Sequence, residues 1–288
     1  MKLKVKTVLH RVSSDYASAG WILVLERGIT MDYQEILFDV DTKHVCTITI
    51  NRPERMNTFT PTMMDEFKHA WLRVAEDDNI HSVVLRASEC RAFSTGVDVN
   101  IGVKKVSNIW SKREPGESLG PKANKVWKPV ICAVHGLACG GAFYWLNESD
   151  IVICSDDAEF FDPHVTFGRT AALEPIGAIY KMPLGEVLRM TLMGNDERIG
   201  AATALRLNLV SEVVPRAELW DRAYELARII AEKPAAAVQG SVRAIWESLD
   251  EMRTVALARG QSYCDLGNPI GMAEVEAGEM KKPDYVVR

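Results

Sequence analysis

The sequence has no long apolar run, no paired cysteine spacing, no excess of positive charge and no common nucleotide signature. Each shortfall removes a class of function. The longest apolar stretch, Val130 to Leu146, is broken by His135 and three glycines. It is short for a bilayer crossing, so no membrane partner is expected. The opening Met1-Lys2-Leu3-Lys4-Val5-Lys6 has the charge of a secretory leader, but His10, Arg11 and Asp15 interrupt the apolar segment that would have to follow. Cys46, Cys90, Cys132, Cys139, Cys154 and Cys264 show no CxxC pair. They read as buried free thiols of a reducing, cytoplasmic compartment. Lys and Arg number 34 against 39 Asp and Glu, a net charge of −5. That balance argues against nucleic acid and leaves room for a local basic pocket facing a phosphate-bearing ligand. No GxGxxG follows the first strand, and there is no Walker motif, no GxSxG and no HExxH. Nucleotide-cofactor, kinase, serine-elbow and zinc chemistries lose their support, and no metal site is expected.

What is present is an ordinary globular balance in 288 residues, 47 % hydrophobic and 25 % charged, with enough apolar material for a core. Residues 1–30 form no clear unit; they are either a packed arm or an extension ahead of an alternative start at Met31. From there the pattern is cleaner: a strand at Ile36–Val40, a turn at Asp41-Thr42-Lys43, and a strand at His44–Asn51 with period-two alternation. Thr60 is a helix N-cap with Pro61 in the first helical position, and Met63, Phe67, Trp71, Val74 and Ala75 recur on one face. Strands at Ser82–Ala87, Pro129–Val134 and Ile151–Cys154, with a helix at Gly140–Leu146, give an α/β body over residues 31–215. The remainder, 216–288, reads as a helical region for oligomerisation or lid formation. Its helices are Ala217–Glu232, Ala235–Leu249 and Glu251–Leu266, the last ended by Gly267-Asn268-Pro269.

Two glycine turns carry chemical information. One is Arg91-Ala92-Phe93-Ser94-Thr95-Gly96-Val97-Asp98, with a helix expected to start at Asp98. The other is His135-Gly136-Leu137-Ala138-Cys139-Gly140-Gly141-Ala142. Each places backbone N–H groups at a helix start, where negative charge is favoured. Two such turns facing each other make an oxyanion hole; the alternative is that the glycines only permit tight strand-to-helix turns.

In order along the chain, these stretches resemble the crotonase (enoyl-CoA hydratase/isomerase) superfamily. Ile48-Thr49-Ile50-Asn51-Arg52-Pro53-Glu54-Arg55-Met56-Asn57 is similar to its opening strand and NRP turn. Ala92 to Asp98 is similar to its first oxyanion turn, and Lys128 to Gly136 followed by Gly140-Gly141 to its second. Leu209 to Val214 resembles a later segment, and Lys281-Lys282-Pro283-Asp284-Tyr285 its closing motif. The likeness covers about Ile36 to Tyr285. It implies an α/β fold, a crotonase-like spiral of ββα units with a C-terminal helical trimerisation region, in a homotrimer or a dimer of trimers. It implies an acyl-CoA thioester as substrate, with coenzyme A entering only as part of that substrate and no separate cofactor. The N–H groups of Val97 and Gly141 would hold the thioester oxygen of an enolate, at about 3–4 kcal/mol per donor. Arg55, Met56, Gly96, Asp98, Val99 and Gly140 would lie along the CoA, and Lys281 and Lys282 would reach its phosphates.

Hydratases of the family add water with two glutamates. The matching positions here are Tyr144 and His164, so both carboxylates are missing. His164 moves protons near neutral pH and Asp162 is placed to orient it, although residues two apart often point away from each other. Glu174, in a stretch that lines the family's acyl pocket, is a candidate base, and Tyr144 a candidate donor. Against these stand plainer readings: an aromatic core for Tyr144, a satisfied polar residue for His164, a helix N-terminal charge for Glu174. Tyr144, Trp145 and the Trp110 region either shape a bulky acyl pocket or belong to the core, the core reading carrying at least equal weight. Three functions follow: a hydratase or isomerase of acyl-CoA thioesters; a hydrolase of carbon–carbon bonds in β-keto compounds, a chemistry the superfamily includes with a histidine at the position of His164 and an acidic residue near that of Glu174; or a non-catalytic acyl-CoA binder.

Overall fold

A computed structural model describes residues 31–101, 108–111 and 114–278. The chain divides into two units, Met1–Tyr33 and Gln34–Arg288, and the second is described here. The expectations for residues 1–30 and for Lys281 and Lys282 lie outside the described residues.

The second unit opens with a hairpin of β1 (Ile36–Val40) and β2 (Val45–Ile50), paired from Ile36 opposite Ile50 to Val40 opposite Cys46. Asp41 makes the turn: its Oδ1 accepts N–H groups of Lys43 and Val45 at 2.8 and 3.0 Å. Helix α1 (Pro61–Glu76) starts as the sequence predicts, with the Thr60 hydroxyl accepting the Met63 N–H at 3.1 Å. Its buried face is Met63, Glu66, Phe67, Ala70, Trp71 and Val74. Ala75 is exposed instead, because a period of 3.6 residues carries the apolar stripe through Ala70 and Val74 and past position 75. The buried Glu66 carboxylate accepts the N–H groups of Gln34, Glu35 and Ile36 at 2.6 to 3.1 Å, which fixes the start of β1 on this helix.

The remaining body repeats one pattern. Strands β3 (Ser82–Ala87) and β4 (Ala92–Ser94) precede the short α2 (Gly116–Leu119). Strands β5 (Val130–Val134) and β6 (Leu137–Cys139) precede α3 (Phe143–Glu148). Strands β7 (Ile151–Ser155) and β8 (Glu159–Phe161) precede α4 (Leu173–Ala178) and α5 (Leu184–Met193). Each unit gives its first strand to one sheet, ordered β1-β2-β3-β5-β7-β10, and its second to another, ordered β4-β6-β8-β9. Here β9 is Ile199–Gly200, followed by α6 (Ala201–Arg206), and β10 is Glu212–Val214. Successive units stack in parallel, β3 on β5 on β7 and β4 on β6 on β8. This is the α/β spiral of ββα units that the resemblance implied.

Helix α7 (Leu219–Ala231) covers the larger sheet: Leu219, Ala223, Ala227 and Ala231, four apart, pack on Val45, Val84, Ile131, Ala133 and Ile153. Helices α8 (Ala235–Glu247) and α9 (Arg253–Ala277) follow. One expectation is corrected in this region and two before it. Gly267-Asn268-Pro269 does not end the last helix, which continues through Pro269 to Ala277. The proline forfeits one backbone hydrogen bond, while packing against α8 holds the rest: a Cβ on Gly271 would lie 3.0 Å from Ala237 Cβ, so small residues let the two helices close. Gly140–Ala142 is a 3-10 turn, and α3 starts only at Phe143. No helix starts at Asp98 among the described residues; Asp98 to Ile101 form one turn, closed by the Ile101 N–H on the Asp98 carbonyl at 3.2 Å, and residues 102–107 are outside the described set.

Candidate active site

The two glycine turns meet. Gly96 has φ +81°, and a Cβ there would lie 2.8 Å from Gly141 N and 3.2 Å from the Cys139 carbonyl. Phe59 edges the first turn like a strand: its N–H donates to the Gly96 carbonyl and its carbonyl accepts the Asp98 N–H, both at 2.9 Å. Successive amides of an extended chain point to opposite sides, so the Val97 N–H faces away from Phe59. Among the turn and loop hydrogen bonds of the described residues, neither the Val97 nor the Gly141 N–H donates. The Phe59 ring also backs the second turn, since a Cβ on Gly141 would lie 2.5 Å from its Cε1.

The first turn rests on a buried ion pair that the sequence did not reveal. Arg52, from the NRP turn, donates to Asp98 Oδ2 at 3.2 Å and to the Thr58 carbonyl at 2.8 Å, and its Nε lies 3.3 Å from Glu35. Burial of Asp98 opposes its charge, but the Asn100 N–H and Arg52 outweigh that and hold the carboxyl below its ordinary range. Asp98 is therefore turned inward, 4 % exposed, and serves the turn rather than offering a side chain to a ligand. Outside it, a cavity of about 450 Å³ is lined by Arg55, Met56, Val97, Asp98, Val99 and neighbours that include Phe167. The structure thus gathers most of the residues expected along the CoA, with Gly96 and Gly140 at the adjoining turns.

The acid–base candidates also converge. Asp162 and His164 do not point apart: Asp162 Oδ1 accepts the His164 N–H at 3.0 Å and lies 2.7 Å from its Nδ1. Backbone and ring are held by one carboxylate. With Nδ1 facing Asp162, Nε2 is left toward Glu174, whose Oε1 is 4.0 Å away. The Asp162 hydrogen bond raises the His164 pKa above 6.5, against burial, and the Asp162 and Glu174 charges add to it. The His164 ring borders the second glycine turn, because a Cβ on Gly140 would lie 3.7 Å from its Cε1. Glu174 is 7 % exposed, and its carbonyl accepts from Asn147 Nδ2 at 2.9 Å, which ties α4 to α3. Burial, together with the charges of the Glu174 and Glu114 carboxyls, pushes the phenol of Tyr144, on α3, well up.

Some expectations change. Trp145 is fully buried among Phe59, Phe67 and Phe93, so it is core and not pocket wall. Trp110 is 88 % exposed. Burial pushes the Cys139 thiol, next to the second turn, up to about 12, which removes it as a nucleophile.

Comparison with known proteins identifies the family. The model of the enoyl-CoA hydratase/isomerase family matches residues 41–264. The chain is 33 % identical over 227 residues to the (E)-benzylidenesuccinyl-CoA hydratase of Thauera aromatica, covering 78 % of this chain and 86 % of that one. It is 30 % identical over 203 residues to the 1,2-epoxyphenylacetyl-CoA isomerase of Escherichia coli strain K12, covering 67 % and 74 %. Among solved structures, an enoyl-CoA hydratase/isomerase from Mycobacterium paratuberculosis superposes with a TM-score of 0.75 at 33 % identity, over 81 % of this chain and 90 % of that one. The fold and family model place the protein among acyl-CoA enzymes. The chain belongs to the enoyl-CoA hydratase/isomerase family, within the crotonase superfamily.

Proposed function

We propose that the protein adds water to, or shifts the double bond of, an enoyl-CoA thioester through an enolate, with His164 and Glu174 replacing the family's two glutamates. The observation that carries this reading is the meeting of the Gly96 and Gly141 turns beside the Asp162–His164–Glu174 row. The Val97 and Gly141 N–H groups hold the thioester oxygen as it gains charge. A position between His164 Nε2 and Glu174 is within reach of both. In hydration, His164 takes a proton from water as its oxygen bonds the β-carbon and the α-carbon receives a proton from Glu174; the His164 proton then passes to the Glu174 carboxylate 4.0 Å away, so one water is consumed and both groups return to their starting states. Arg55, Met56 and Val99 line the CoA path, and Lys281 and Lys282 are assigned to its phosphates. Exposed Ile176, Leu184, Leu188 and Leu192 on α4 and α5, and Leu266 and Ile270 on α9, support burial in a homotrimer or dimer of trimers. No helix among the described residues is long and apolar enough to cross a membrane.

The test is loss of enoyl absorbance with crotonyl-, longer-chain and phenyl-substituted enoyl-CoAs, the last because two relatives carry phenyl-bearing thioesters in their names. Turnover of at least one is expected; none across the panel overturns the reading. The freed His164 Nε2 also favours a second reading, water-driven cleavage of a β-keto compound, which turnover of β-ketoacyl-CoAs or cyclic β-diketones would select.

The Asp162–His164 contact gives a pH prediction. His164 acts as a base only when neutral, and its pKa is raised, so kcat climbs with pH to a midpoint above 6.5. Asp162→Asn removes the raising carboxylate and moves that midpoint to lower pH, while kcat falls because the ring loses its orientation. A pH profile of kcat with an unchanged midpoint would contradict the assignment.

A further inference from the structure

We propose that Glu35 is a positioning residue for the Val97 N–H, acting through Arg52 and Asp98 to hold the first glycine turn at the thioester oxygen. The inference rests on the enoyl-CoA reading above and extends it to a residue that no motif marks. Glu35 stands one position before β1, and its backbone is already fixed. Its N–H, with those of Gln34 and Ile36, donates to the buried Glu66 carboxylate, and its carbonyl accepts the Asn51 N–H at 2.8 Å. The side chain is held as well. Its Oε2 accepts the Thr60 hydroxyl, and its Oε1 lies 3.3 Å from Arg52 Nε. The other two guanidinium nitrogens also have partners. Nη1 donates to the Thr58 carbonyl at 2.8 Å and to its hydroxyl at 3.0 Å, and Nη2 donates to Asp98 Oδ2 at 3.2 Å.

A guanidinium is a planar fork, and a single carboxylate on one prong leaves it room to pivot. Here Glu35 meets the Nε edge while Asp98 meets Nη2, so the plane is set from two sides. Asp98 in turn pins the far end of the glycine turn. Its N–H donates to the Phe59 carbonyl, and its Oδ1 accepts the Asn100 N–H at 3.1 Å. The near end is the Gly96 carbonyl, which accepts the Phe59 N–H. Val97 lies between them, beside a glycine at φ +81°. Glycine resists backbone rotation least, so the aim of the Val97 N–H depends on how firmly Asp98 is held. Arg55 is no substitute for Arg52: it is half-exposed, and its Nε comes only to 4.0 Å from the same Asp98 oxygen. Glu35 has two effects of opposite sign. Together with Arg52 and Asp98 it leaves one net negative charge, which through space disfavours an enolate. Neutralising Glu35 would on charge alone raise the rate, whereas loss of aim lowers it. Aim dominates, because the N–H acts at hydrogen-bond distance on charge that develops in the transition state. The Glu35 charge acts from behind the Arg52 cation that offsets it.

The experiment compares Glu35→Gln, Glu35→Asp and Arg52→Lys with the wild type, after thermal melts have excluded unfolded variants. The first readout is steady-state kinetics on an enoyl-CoA. Glu35→Gln is expected to lower kcat about 10-fold with little change in KM. Glu35→Asp restores part of that loss, and Glu35→Gln added to Arg52→Lys costs little beyond Arg52→Lys alone, as for residues in one network. The second is the infrared carbonyl stretch of bound butyryl-CoA, a saturated thioester that cannot be hydrated, isotope-labelled at its carbonyl. The wild type is expected to move the stretch to lower frequency, and Glu35→Gln to move it less. The third is amide hydrogen exchange of the free protein, expected in Glu35→Gln to quicken from Phe93 to Val99 and not across β5 and β7. Unchanged or raised kcat, a full carbonyl shift in Glu35→Gln, additive losses in the double variant, or exchange that quickens throughout the chain would each overturn the positioning role. Should Glu35→Gln fail to fold, Glu35→Asp carries the same three readouts. If the wild type neither binds nor turns over a thioester, the enoyl-CoA reading fails by itself, and the exchange arm still decides whether Glu35 holds the turn.

Discussion

Gly141→Ala is expected to lower kcat on an enoyl-CoA substrate by about 10²–10³-fold, the loss typical of removing one oxyanion donor. The new methyl would stand 2.5 Å from Phe59 Cε1 and 3.0 Å from its Cζ. Phe59 is 1 % exposed and edge-packed on Tyr144 and Trp145, so it has nowhere to turn. The Gly140–Ala142 turn must then move, and with it the N–H assigned to the thioester oxygen. A shift of a few tenths of an ångström matters because the donor is aimed at charge that exists only in the transition state. KM is expected to change much less than kcat. Gly185→Ala is the control: a Cβ there meets nothing within 4 Å, its site is the first turn of α5, and activity should stay at the wild-type level. Steady-state kinetics on both proteins, with circular dichroism to confirm folding, decide the matter. Equal kcat values for Gly141→Ala and the wild type would remove the oxyanion role.

His164→Gln is the second large effect, with an expected fall in kcat of about 10²–10⁴-fold. Glutamine keeps a polar side chain of similar reach but has no nitrogen that takes up a proton near neutral pH. Glu174→Gln should cost a comparable factor, and the double variant should fall well short of the product of the two losses, because base and partner act as a unit. The stability consequence has a definite sign. His164 has its pKa raised on folding, so its contribution to stability is complete below the unfolded value near 6.5 and is lost as pH rises through the folded value. Melting temperatures of the wild type and His164→Gln should therefore converge as pH rises through that range. Unchanged turnover in His164→Gln would return His164 to a purely structural role.

Much of the fold was legible because its signals are local. The Asp41 turn, the Thr60-Pro61 helix start, the alternation of β2 and the four-residue spacing on α7 each rest on residues within a few positions of one another. Signals whose outcome depends on distant packing misled. Pro269 reads as a helix end, yet α9 runs on because Gly271 lets α8 approach. Trp145 reads as a possible pocket wall, yet three phenylalanines from separate segments enclose it. Of the site, the glycine turns and the identities of His164, Asp162, Glu174 and Tyr144 were visible. Arg52 was visible only as part of a motif and not as the partner of Asp98, forty-six positions away.

The sequence by itself determined that the chain is an acidic α/β protein with two glycine turns at strand ends. Composition and short-range pattern carry that information, since glycine permits φ values that other residues resist. The tertiary structure alone decided that the two turns touch, that Asp162 holds His164 by both its backbone and its ring, and that Glu174 comes within 4.0 Å of that ring. The meeting of the turns joins groups from separate ββα units, and the Asp162–His164 contact depends on how the backbone after β8 folds back. The distances that set their hydrogen bonds and charge states arise only when the units stack and water is excluded.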